Sequence, residues 1–258
     1  MLGYAFLVEP HWLDVTRHDL GGAPGAPRVR IAQLSDVHLG TIGAATRIAL
    51  EALHAAGPDL LLLTGDIVDS PDDLPAFEAF LAALPRVPTF AVPGNWEHRS
   101  GLGLDTLRAA CRRHGVRLLV DEAVAVETPA GTVGIFGMDD SLRGRPDLRR
   151  LAGFGGDGLN LVLQHSPGVR DASGQAIGVL RGTTLMLAGH THGGQLALFG
   201  WAPYTPPGSG RYVAGWYRDG PLPLYVNRGA GTSYVHARLG ARPELAVFEW
   251  RGSGTGSR

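Results

Sequence analysis

Four consecutive leucines, Leu60–Leu63, constrain this chain more than any other stretch. A strand with one wet face alternates polar and apolar side chains. An uninterrupted run therefore fits a strand covered on both faces, as in a parallel sheet flanked by helices. The run passes directly into Thr64-Gly65-Asp66, and its neighbours repeat the order. Val29–Leu34 ends in Ser35-Asp36-Val37-His38-Leu39-Gly40, and Thr89–Val92 ends in Pro93-Gly94-Asn95-Trp96-Glu97-His98. Helical patterns follow each strand. Ile48, Ala49, Ala52, Leu53 and Ala56 stop at Gly57-Pro58; Leu74, Phe77, Leu81 and Leu84 follow Ser70-Pro71-Asp72-Asp73; Leu104, Leu107 and Cys111 close at His114-Gly115. Three strand, polar-end and helix units in succession predict βαβ construction, with the polar residues gathered along one sheet edge.

From residue 116 shorter strands are expected: Val116–Val120, Ala123–Glu127 and Thr132–Gly137, the last two joined by a hairpin at Thr128-Pro129-Ala130-Gly131. Asp139-Asp140 begins a loop and reads as a pair of solvated acids. Leu159–Gln164 is a further apolar strand ending in His165-Ser166-Pro167, and Ala176–Arg181 is helix-like. Apolar Leu185–Leu187 then runs into Ala188-Gly189-His190-Thr191-His192-Gly193-Gly194-Gln195, and Tyr225–Gly229 and Leu245–Trp250 close the chain. With 258 residues, 44% hydrophobic, and no linker-like shift in composition, one domain over 1–250 with a disordered tail over 251–258 is expected. A net charge of -1 gives no electrostatic case for a nucleic-acid duplex or an anionic membrane. The single cysteine, Cys111, lies on an apolar helix face and reads as a buried structural thiol. Met1–Val8 is apolar but far too short to span a membrane and lacks the marks of a signal peptide, so the chain reads as cytoplasmic, with a membrane-facing edge as a further expectation.

Seven residues stand at the ends of five apolar strands: Asp36, His38, Asp66, Asn95, His165, His190 and His192. Two carboxylates, one amide oxygen and four imidazoles exceed the needs of one tetrahedral ion. They suit two ions sharing a bridging carboxylate, for which Asp66, alone in its motif, is the natural choice. Mixed nitrogen and oxygen donors favour Mn²⁺, Fe or Zn²⁺ over Ca²⁺.

The series Asp-x-His, Gly-Asp, Gly-Asn-x-Glu, His and Gly-His-x-His over residues 31–192 resembles the calcineurin-like metallophosphoesterase superfamily. Gly193-Gly194-Gln195, Arg211–Gly215 and Tyr225–Gly229 look like its bacterial membrane-associated branch of cell-envelope phosphodiesterases and lipid-precursor pyrophosphatases. The resemblance implies an α/β fold, a four-layer αββα sandwich of two mixed sheets with a dimetal site at the strand ends. It assigns Asp36, His38, Asp66 and His192 to one ion and Asp66, Asn95, His165 and His190 to the other. It implies hydrolysis of a phosphodiester or pyrophosphate, in which a hydroxide shared by the two ions attacks phosphorus in line. A lipid-linked substrate and a peripheral contact with the inner membrane belong to the same implication. The narrower alternative is a UDP-2,3-diacylglucosamine pyrophosphatase of lipid A synthesis; the alternative of another class is a catalytically silent scaffold.

One departure bears on mechanism. The family commonly has histidine directly after the third-motif asparagine, where this chain has Trp96. His98 is the candidate replacement acid, a solvent-facing histidine being the other reading. A leaving group that is already stable as an anion needs little such help, which favours a diphosphate or an activated diester. Phe199, Trp201, Tyr204, Tyr212, Trp216 and Tyr217 crowd one Pro/Gly-rich stretch. They read either as a loop pinned by its own rings or as an apolar lip beside the metals. Arg228 is expected to touch phosphate.

Overall fold

The computed structural model describes residues 2–40, 43–198 and 201–252. Among the described residues twelve strands run in chain order as β1 (Asp14–Asp19), β2 (Arg28–Leu34), β3 (Leu60–Thr64), β4 (Thr89–Val92), β5 (Val116–Leu118), β6 (Glu122–Thr128), β7 (Gly131–Gly137), β8 (Leu159–Leu163), β9 (Thr183–Ala188), β10 (Gly215–Tyr217), β11 (Leu224–Val226) and β12 (Glu244–Arg251). The helices are α1 (Leu2–Leu7), α2 (Ala44–Ala56), α3 (Leu74–Ala82), α4 (Asn95–Arg99), α5 (Leu104–Arg113) and α6 (Arg170–Ile177).

The strands form two six-stranded mixed sheets, ordered β1-β12-β2-β3-β4-β5 and β10-β11-β9-β8-β7-β6. In the first sheet β2 to β5 are parallel and β12 runs antiparallel to β2. In the second, β7, β8, β9 and β11 are parallel, with β6 and β10 antiparallel at the edges. Leu60 and Leu62 face inward with Ile31, Phe90 and Val92, against Ile135, Leu161, Leu163, Leu185 and Leu187 of the other sheet. Leu61 and Leu63 point the other way, into a core shared with α2, α3 and α5. That two-sided burial is why Leu60–Leu63 of β3 is leucine without interruption; each buried side chain contributes about 1.5–3 kcal/mol. On the outer face of the second sheet, Phe136, Val162, Met186 and Val226 pack with Ile177 of α6. The architecture is the expected αββα sandwich.

Cys111 is buried on α5, as its apolar face predicts, and burial, with Glu97 nearby, pushes its thiol up to about 12. Two expectations shift. The helix anticipated over 176–181 ends at Ile177 instead, because Gly178 turns the backbone to φ 75. It begins at Arg170, whose buried guanidinium is held by the Leu222 and Tyr217 carbonyls and by Asp219. Arg251 closes β12 and pairs with Asp19, so it belongs to the sheet and not to a tail over 251–258. Residues 253–258 lie outside the described residues.

Candidate metal centre

The parallel strands deliver their polar ends to one point between the sheets. Asp36 and His38 follow β2, Asp66 follows β3, Asn95 opens α4 after β4, His165 follows β8, and His190 and His192 follow β9. The turns are sharp: Asp36, His38, Asp66, His190 and His192 all have φ between 50 and 74. Side chains rarely occupy this left-handed region, and such strain concentrates at functional sites. Two glycines let the turns meet. A β-carbon on Gly189 would collide with Ser35 Oγ and the Asp36 carboxylate, and one on Gly94 with the Asp66 carboxylate.

Two donor groups result, Asp36 with His38 and His192, and Asp66 with His165 and His190. The His38 and His192 Nε2 atoms lie 3.1 Å apart, and His190 Nδ1 lies 3.2 Å from His165 Nε2. Asp66 Oδ2 stands 3.0 Å from His165 Nε2 and 4.0 Å from His38 Nε2, between the groups as a bridge requires. Asp36 Oδ1 is 3.4 Å from His192 Nε2. Asn95 Oδ1 is buried with no hydrogen-bond partner, and Asn95 lines the same cavity. An orphaned buried acceptor is costly, and a cation would satisfy it.

The imidazoles are oriented from behind. His38 Nδ1–H donates to Asp69 Oδ1 at 2.7 Å, His165 Nδ1–H to the Thr64 carbonyl at 2.8 Å, and His190 Nε2–H to the Pro207 carbonyl at 2.8 Å. Each proton therefore points outward and the other nitrogen points to the centre. Burial opposes a charge on His38, yet Asp69, Asp66 and Asp36 outweigh it and hold the ring above its ordinary pKa. His165 is likewise raised against burial, chiefly by Asp66. Burial, then His38 and Arg238, drives His192 well below the ordinary value. Clustered carboxylates and imidazoles in mutual contact, with one orphaned amide oxygen, fit two divalent cations better than they fit protons.

Several supporting residues carry no role from the sequence. Glu97, inside the Gly-Asn-x-Glu motif, accepts the backbone N–H groups of Asp66, Ile67, Val68 and Gly94, clamping two ligand-bearing turns together. Asp69 follows Asp66 by three residues, a spacing that could have marked it. Arg238 is fully buried, donates to the carbonyls of Gly231, Ala241 and His192, and reaches within 3.3 Å of His192 Nδ1.

Beside the centre lies a cavity of about 520 Å³, walled by Asp66, Asn95, Trp96, Leu142, Tyr204 and Tyr234, among others. Trp96 faces it. His98 and Arg228 are absent from its lining: His98 Nε2 is bonded to Asp139 Oδ1 at 2.6 Å, and Arg228 is held by Asp14 and Glu244. The Asp139-Asp140 pair is buried, which corrects the reading of solvated acids. Asp140 accepts the N–H groups of Leu142 and Arg143 and the Ser166 hydroxyl, fixing the loop that brings Leu142 and Arg143 to the cavity. The aromatic stretch divides. Tyr204 reaches the cavity, whereas Tyr212 and Tyr217 pack on each other and Trp216 packs on Tyr225 and Phe248 between the sheets. Those three pin the loop. Phe199 lies outside the described residues.

A family model for calcineurin-like phosphoesterases matches residues 29–194. The chain is 31% identical to the metallophosphoesterase YkuE of Bacillus subtilis, covering 95% of this chain and 88% of YkuE. It is 34% identical to the phosphodiesterase YaeI of Escherichia coli, covering 96% of this chain and 92% of YaeI. With the folded sheets, the ligand turns and these likenesses together, the chain belongs to the calcineurin-like phosphoesterase family.

Proposed function

We propose that this chain hydrolyses phosphodiesters with two divalent cations, one held by Asp36, His38 and His192, the other by His165, His190 and Asn95, with Asp66 between them. The orphaned Asn95 Oδ1, buried beside two three-residue donor groups, carries the reading. Two such ions, when bound, neutralise a phosphate and acidify water toward a pKa near 7. Mn²⁺, Fe and Zn²⁺ suit the donors.

The chain's own residues then set which ester fits. Arg143 lines the cavity with an exposed guanidinium that pairs with no described residue, leaving it for a phosphate oxygen. Trp96 stands where an imidazole would protonate a departing alkoxide. The site is accordingly matched to leaving groups stable as anions, a diphosphate or an activated diester. The likeness to a named phosphodiesterase supports the diester. Leu142, Leu196, Pro206, Pro207 and Val235 make the walls largely apolar, so the ester group is apolar, as a lipid-linked substrate provides. Exposed Phe6, Leu7, Val8 and Trp12, together with exposed Leu196, Leu198 and Trp201, support a peripheral membrane contact; among the described residues no helix is long and apolar enough to cross a membrane.

The test is turnover of bis(4-nitrophenyl) phosphate by protein loaded with Mn²⁺, Fe²⁺ or Zn²⁺ in turn. Hydrolysis abolished by chelation and restored by the metal is expected. Loaded protein without turnover would favour a silent scaffold.

A further inference from the structure

We propose that Tyr234 is a ring platform that stacks on a planar ester group of the substrate, held in place by a side-chain clip from Gln195. The proposal deepens the phosphodiesterase reading and rests on it. Tyr234 is 79% exposed, yet its backbone sits at φ 59. That region is an outlier for a bulky residue, and so exposed a ring recovers little by packing. Gln195 supplies the constraint. Its Oε1 accepts the Ser233 N–H at 3.0 Å, while its Nε2 donates to the Ser233 carbonyl at 3.0 Å and the Val235 carbonyl at 2.8 Å. Both neighbours of Tyr234 are thereby tied down and the ring between them is left to project. Gln195 itself belongs to the turn after β9, its N–H bonded to the His192 carbonyl at 2.9 Å, so the clip is built onto the metal centre.

The ring also meets the centre from the other side. Tyr234 lies 5.6 Å from the Trp96 ring, and Trp96 presents an edge contact to His38 at 6.0 Å. Arg99 covers one Trp96 face at 4.5 Å and donates Nη1–H to the Tyr234 hydroxyl at 3.3 Å. His38, Trp96 and Tyr234 thus form a line of rings from a ligand to the cavity mouth. Leu196 and Val235 already serve the apolar ester group of a diester, so the ring is left for its other, planar one. A flat ring in a fixed, strained and exposed pose offers what a planar group needs, an open π face with little freedom left to lose.

The probes are phenylphosphonate and cyclohexylphosphonate, matched in size and different in planarity, titrated calorimetrically into Mn²⁺-loaded protein at a pH where both are dianions. Wild type should bind the phenyl compound roughly three- to tenfold more tightly. Tyr234→Ala and Gln195→Ala should abolish that preference, and Tyr234→Phe should keep it. Tyr234→Asn, whose side chain tolerates positive φ, should lose the preference while melting no lower than wild type. A wild type that binds both rings equally, a preference that survives Tyr234→Ala, or a Tyr234→Asn variant that melts well below wild type overturns the platform. Binding without ring preference removes the platform alone. Loaded protein that binds neither phosphonate and leaves bis(4-nitrophenyl) phosphate intact removes the phosphodiesterase reading with it.

Discussion

His98 and Asp139 illustrate what single side chains contribute around the centre. The Asp139 hydrogen bond raises the His98 pKa against partial burial, and His98 in turn, with the Arg145 and Asp140 N–H groups, lowers Asp139 against its own burial. The signs fix a pH window. A raised histidine stabilises fully below its unfolded value near 6.5 and loses that contribution as pH climbs through the folded pKa; a lowered aspartate stabilises above about 3.9 and loses it as pH falls through the folded value. The pair therefore helps most between about pH 4 and 6.5. The melting advantage of wild type over His98→Gln should be largest near pH 6 and shrink toward about pH 9; an advantage constant across that range would contradict the pairing. The seven candidate donors were legible at this scale because the chemistry restricts metal donors to few residue types. Glu97, Asp69 and Arg238 were not. A carboxylate that accepts backbone N–H groups, or a guanidinium caged by carbonyls, follows no periodicity, and its partners come from distant segments.

Strands and their end turns are legible in the sequence to different degrees, for identifiable reasons. β3 and β8 are buried along their whole length and almost wholly apolar, Thr64 and Asn160 being the exceptions, because both faces are covered. β1 carries no strand pattern: Asp14-Val15-Thr16-Arg17-His18-Asp19 is polar, because an edge strand needs only one paired side and little burial. β10 was hidden among the aromatics of its loop, and its Trp216 serves the core between the sheets. The turn after β9 is where backbone shape and chemistry coincide most closely. Gly189→Ala places a methyl against Ser35 and Asp36 and should lower turnover or metal affinity by about 10–100-fold, the usual cost of disturbing residues that orient ligands. The strands do not depend on that turn, so a cooperative melt should persist. Unchanged metal content and turnover in this variant would show that the turn has room to spare.

Seen whole, the molecule is two sheets whose parallel strands point the same way, so donors spread over more than 150 residues of sequence converge at one edge. The βαβ pattern predicted that convergence; the pairing of β11 with β9 and the insertion of β12 beside β2 depend on long-range contacts that no local pattern encodes. On the proposed reading, the apolar cavity and its ring-lined mouth select among phosphate esters drawn to the metals. The proposed function requires two ions with a carboxylate between them. Mass-spectrometric metal analysis of wild type and Asp66→Ala tests this most directly, with diesterase turnover measured on the same samples. About two divalent ions per chain are expected in wild type, and loss of both bound metal and turnover in the variant, since a bridge serves both ions. An Asp66→Ala protein that keeps two ions and full turnover would contradict the assignment.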